Sequence, residues 1–174
     1  MRILGIDPGI GICGFGLIEA DGGGGAKALD FGAVTTTVDA PMPERLKELY
    51  ESLKIVFDET KPDVVAVEKL FFSKNITTGI AVAEARGVIL LVAEQSGAKV
   101  REYTPNEIKK ALTGYGSATK TQMEEMARVH LGLTKKPKPD DAADALAAAI
   151  TCSFLYREDD IIEVDKFSNS RRKK

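Results

Sequence analysis

Residues 2–16, RILGIDPGIGICGFG, restrict the fold more than any other stretch of this chain. Ile3, Leu4 and Ile6 form a short apolar run, the pattern of a strand buried on both faces. Asp7 ends that run, and Pro8-Gly9 forces a turn directly behind it. Ile10, Ile12, Phe15, Leu17 and Ile18, spaced by Gly11, Gly14 and Gly16, read as a second strand. Those glycines remove side chains where another backbone or a ligand comes close. A carboxylate at a strand end costs free energy unless something neutralises it. Asp-Pro-Gly is also good turn chemistry, so on this stretch alone Asp7 simply serves the turn.

The length of 174 residues suits one domain with a full-sized core, expected over residues 1–156, followed by a charged, disordered tail over 157–174. No signal-like segment opens the chain and no run approaches membrane-spanning length, so a cytoplasmic protein is expected. Cys13 and Cys152 both sit in apolar patterns, which predicts buried small hydrophobes in a reducing compartment. With two cysteines and only His130, a zinc site is excluded as a reading. The net charge of -2 argues mildly against nucleic acid, but its distribution does not. Residues 99–138 hold nine Lys/Arg against four Asp/Glu, and binding depends on one face.

Asp21 and Gly22 to Gly25 form a hairpin loop, since no Lys-Ser/Thr follows and no helix starts there. Residues 26–37 are a third strand, completing an antiparallel meander. Residues 41–61 change period: Leu46, Leu49, Tyr50, Leu53, Val56 and Phe57 mark an amphipathic helix that Pro62 stops. Residues 64–67 are a buried strand, and Glu68 ends it as Asp7 ends the first. The intervening helix makes these two strands parallel neighbours and puts both acids at one edge, where open α/β sheets bind ligands. Phe71 and Phe72 follow, either a core pair or a wedge for a base stack.

Residues 75–95 form a helix with Ile80, Val82, Ala83, Val88, Ile89, Leu91 and Val92, an apolar surface wider than one stripe needs. Two explanations stand, a dimer contact through positions such as Val82 and Ile89, or a helix central to one monomer. Residues 99–103 are a fifth strand, and Thr104-Pro105 starts a helix. The loop GYGSATKT at 114–121 fails as a Walker A motif because Thr119 precedes Lys120 and no strand comes before it. A helix near Thr121 follows, which leaves Lys109, Lys110 and Lys120 either facing a phosphate backbone or ordinarily solvated.

The last helix spans 140–156. Asp141 and Asp144 lie three apart on one face, continued by Ala145, Ala148 and Ala149, while Asp140 is turned away as a cap. The order is β-β-β-α-β-α-β-α-α, an α/β fold with a mixed five-stranded sheet flanked by helices. Asp7, Glu68, Asp141 and Asp144 stand on three elements with no convincing cation among them, and would repel unless divalent ions bridge them. Hard oxygen ligands select Mg²⁺ or Mn²⁺, two of which clamp the attacking and leaving oxygens of a phosphodiester displacement when about 3.5–4 Å apart.

These blocks, GIDPG at 5–9, VEKLFF at 67–72, GYGSATKTQM at 114–123 and DDAADALAAAIT at 140–151, resemble the RuvC Holliday-junction resolvases of the ribonuclease H-like fold. The resemblance covers roughly residues 1–156. It implies metal-binding catalytic acids at Asp7, Glu68, Asp141 and Asp144, a junction-engaging aromatic at Phe71, and DNA-contacting lysines at Lys109 and Lys120. It also implies a homodimer that nicks two opposed strands of a four-way junction alongside a branch-migration motor. The overall acidity departs from what a DNA-binding enzyme suggests, so binding through a narrow, salt-sensitive basic stripe is expected. An ATP-binding domain of the actin and sugar-kinase type would need a second lobe and a second glycine-rich hairpin, for which this chain has no room. A catalytically silent junction-binding scaffold would have no use for all four acids.

Overall fold

A period of two sorts the first and fourth strands between two cores. The computed structural model describes residues 1–69 and 76–157. Strand β1 (Arg2–Asp7) points Leu4 and Ile6 into one hydrophobic cluster and Ile3 into the other. Strand β4 (Val64–Glu68) does the same with Val65 and Val67 against Val64 and Ala66. Both runs are apolar on both sides because the sheet is covered on both faces.

Strands β2 (Ile12–Ala20) and β3 (Ala26–Thr35) complete the meander, and β5 (Lys99–Tyr103) closes the sheet in the order β3-β2-β1-β4-β5. The first two pairings are antiparallel; β1–β4 and β4–β5 are parallel. The Asp21 carboxylate accepts bonds from the backbone N–H of Gly23 and Gly25, which confirms the expected hairpin loop.

Helices α1 (Met42–Thr60) and α2 (Ile76–Ser96) cover one face, packing Leu49, Leu53, Phe57, Ala85, Ile89 and Val92 against it. Helices α3 (Pro105–Thr113), α4 (Lys120–His130) and α5 (Asp140–Leu155) cover the other. Three helices therefore follow β5, at the three starts expected at Thr104-Pro105, near Thr121 and at 140, although the summed element order counted only two. Helix α4 owes its separate start to a capping box, in which Thr119 and Gln122 satisfy each other's backbone N–H groups.

Ile89 is fully buried inside the monomer, so it is not a dimer-facing position; Ile80 and Leu91, about half exposed, point outward instead. Cys13 and Cys152 are buried free thiols as expected, and burial pushes them up to about 12 and about 11. Among the described residues no helix is long and apolar enough to cross a membrane.

Helix α5 lies directly on β1 and β2, and glycine is what lets it. A Cβ on Gly5 would sit 1.8 Å from the carbonyl oxygen of Ala145, and one on Gly14 would sit 2.1 Å from that of Asp141. Gly16 meets Leu146 in the same way. The alanines of α5 are its half of this close approach, and Ala142 through Ala149, apart from Asp144, are buried.

Candidate active site

Asp7 and Glu68 end two strands in parallel register, one residue past the Ile6–Val67 pair. The alternation that sends Ile6 and Val67 to the α1–α2 side sends both carboxylates to the α5 side. Asp7 pairs across the hairpin with Gly14, onto which the backbone of Asp141 packs. One turn of helix further, Asp144 reaches the same edge and lines a cleft of about 300 Å³ together with Glu68, Lys109, Lys120, Met123 and Ala147. The four acids named from sequence are thus gathered at one sheet edge.

Their mutual charge is visible in Asp7, Glu68 and Asp144. Burial, then Asp144, Glu68 and Asp141, push Asp7 up to about 7, against the pull of Lys120. Burial and Asp144 raise Glu68, with Lys109 pulling the other way. Burial also raises Asp144, which Lys120 partly offsets. Such stacking of like charge in a cleft marks a functional site more often than a structural one.

The structure corrects two expectations. A cation does stand among the acids: Lys120 Nζ lies 3.4 Å from Asp144 and 3.7 Å from Asp140. Asp140 is no cap, because the N-cap is Pro139 and no side chain bonds the first turn; its carboxylate instead takes Lys120 and Lys138. Sequence pattern missed this pairing because long lysine side chains cross between helices without any periodic signal.

Lys109 lines the cleft, whereas Lys110 is exposed and does not contribute to its wall. Phe71, with Phe72, lies outside the described residues. Oxygen donors from three elements suit a hard divalent ion in kind. Yet among the described residues no three His, Cys, Asp or Glu side chains stand together as a ready metal site. The acids share an edge without converging, and Lys120 already neutralises part of their charge.

Comparison with known proteins assigns the chain to one family. The family model for crossover junction endodeoxyribonuclease RuvC matches residues 3–152. A crossover junction endodeoxyribonuclease RuvC of Chloroflexus aggregans is 52% identical over 154 residues, 88% of this chain and 93% of the relative. One of Brevibacillus brevis is 50% identical over 87% of this chain and 90% of its own. The structure of T. thermophilus RuvC in complex with Holliday junction substrate superposes with a TM-score of 0.80 at 34% identity, covering 88% of this chain and 94% of that one. A Fowlpox virus resolvase, solved with junction DNA, shares the fold at 18% identity and a TM-score of 0.60. A match over most of the chain, at half identity, to proteins of one description leaves a single assignment: this chain belongs to the RuvC family of crossover junction endodeoxyribonucleases.

Proposed function

We propose that the protein resolves four-way DNA junctions by metal-dependent phosphodiester hydrolysis, nicking two opposed strands during recombination and repair. The observation that carries this is the placement of Asp7, Glu68, Asp141 and Asp144 at one sheet edge, with Lys109 and Lys120 beside them. Family membership supports the substrate class.

The four carboxylates would hold divalent ions, Mg²⁺ by preference and Mn²⁺ as an alternative; once bound, these supply an activated water and stabilise charge on the departing 3′ oxygen. Asp7 is central to this work, since it is largely buried and feels the other three acids. Glu68 and Asp144 both line the cleft, and Lys109 and Lys120 offer their ammonium groups to the phosphates entering it. Phe71, one residue past Leu70 in the connection after β4, is assigned the contact with the unstacked junction core.

A homodimer supplies the two sites that two nicks require. A branch-migration motor as partner, resting on the family resemblance, and a cytoplasmic location, resting on the sequence pattern, complete the proposal. The test is incubation of the purified protein with a labelled four-way junction, with and without Mg²⁺. Paired, Mg²⁺-dependent nicks are expected; cutting of linear duplex at the same rate would overturn the junction assignment.

A further inference from the structure

Lys120 opens α4, where the Thr119–Gln122 capping box fixes the start of the helix and so fixes the root of the lysine side chain. Its ammonium is shared by two carboxylates of α5, Asp144 at 3.4 Å and Asp140 at 3.7 Å. Positions 140 and 144 are four apart, so the two acids stand one above the other on one helix face. Only Asp144 lines the cleft with Glu68. Asp140 makes no cap bond and takes Lys138 as well, so among the described residues its carboxylate pairs with two lysines.

We propose that Lys120 and Asp140 form a positioning pair for the active site. In the resting protein Lys120 serves as the cation on Asp144; when a divalent ion claims Asp144, Lys120 swings onto Asp140 and stays at the rim of the cleft. Asp140 is the holding point that makes the exchange short. Nζ already lies between the two carboxylates, 3.4 Å from Asp144 and 3.7 Å from Asp140, so a small rotation about the flexible four-carbon stem of the lysine is enough. The lysine is thereby held facing the phosphates, so that loading of the ion and of DNA no longer compete for the same ammonium. The inference rests on Asp144 being a metal ligand.

The test is a DNA-free titration of the full-length protein with Mn²⁺, following the free ion by its paramagnetic resonance signal, on Lys120→Met, Asp140→Asn and the double variant. Lys120→Met is expected to tighten Mn²⁺ binding about fivefold, since the ion no longer displaces an ammonium. Asp140→Asn is expected to weaken it several-fold when Lys120 is present, and by less than twofold in the Lys120→Met background. Equal weakening in both backgrounds makes Asp140 a distant charge only and overturns the pair, as does unchanged binding in Lys120→Met. The cycle isolates the coupling because each change leaves the other side chain in place. Melting curves report folding, and Lys120→Gln replaces Lys120→Met if the latter melts early. Asp144→Asn is the separate control: Mn²⁺ binding unaffected by it sinks the metal-site reading itself, and binding lost there with no coupling between 120 and 140 sinks only this inference.

Discussion

Asp7 and Glu68 are side by side because Ile6 pairs with Val67 in parallel register and each carboxylate is the next residue of its strand. A parallel pair aligns both C-terminal ends, so two acids meet at one edge, and the α5 acids are brought over it by Gly5 and Gly14. Asp7→Asn keeps size and polarity and removes the charge that would hold an ion in the proposed site. Cleavage of a four-way junction should fall by at least a hundredfold while junction binding survives in a gel-shift assay. A variant that still cuts at a normal rate takes Asp7 out of the mechanism. Glu68→Gln, Asp141→Asn and Asp144→Asn are expected to behave alike.

The same crowding sets how stability responds to pH. Asp7 is raised from 3.8 to about 7 in the fold, chiefly by burial and then by Asp144, Glu68 and Asp141. Between those values the folded state binds more protons than the unfolded one, so the ion-free protein loses stability as pH rises through that window. Glu68 and Asp144 are raised too and act in the same direction. Asp7→Asn should therefore melt higher than the parent protein near pH 7.5 and close to it near pH 4. A gap that does not shrink on acidification would mean that Asp7 is not charged against its neighbours.

Addition of Mg²⁺ should reverse the penalty. An ion that binds only the folded protein at ten times its Kd adds roughly 1.4 kcal/mol by mass action. Because the ligands must be deprotonated, the rise in Tm should shrink at acidic pH. Thermal melts at 0 and 10 mM Mg²⁺, at two pH values, decide this; an equal rise in the Asp7→Asn variant would locate the ion elsewhere.

The sheet edge was legible in the sequence because two signals agreed there. Apolar runs broken by Asp7 and Glu68 marked strand ends, and the spacing of Asp141 and Asp144 marked one helix face. The Ala-rich surface of α5 and the glycines of β2 also predicted close packing correctly. The Lys120–Asp144–Asp140 contact was not legible, since it joins two helices through a flexible side chain. Ile89 was misplaced for a different reason. Helix α2 is apolar nearly all round, so its sequence carries no polar face to say which side meets the sheet.

Phe71 is the aromatic assigned to the junction core. Phe71→Ala should weaken junction binding and cleavage by the worth of one stacked base, about 1–3 kcal/mol, with little change in Tm. A sharp fall in Tm would instead identify Phe71 as core and move the junction contact to Phe72.

In the proposed reaction two opposed nicks need two copies of the acid edge, which a two-fold dimer would provide on an axis coinciding with the pseudo-two-fold of the junction. The outward apolar positions of α2, Ile80 and Leu91, are the described surface on that helix suited to such a contact, since Ile89 is spent inside the monomer. Leu91→Asp places a charge there without opening the core. It should shift the protein to monomer in light scattering, keep its Tm within a few degrees, and abolish paired incision. Mixed dimers with one Asp7→Asn subunit should nick one strand only. A protein that stays monomeric in light scattering at assay concentration, and still makes both cuts before the junction dissociates, would show that one site visits both strands and that the dimer is not needed.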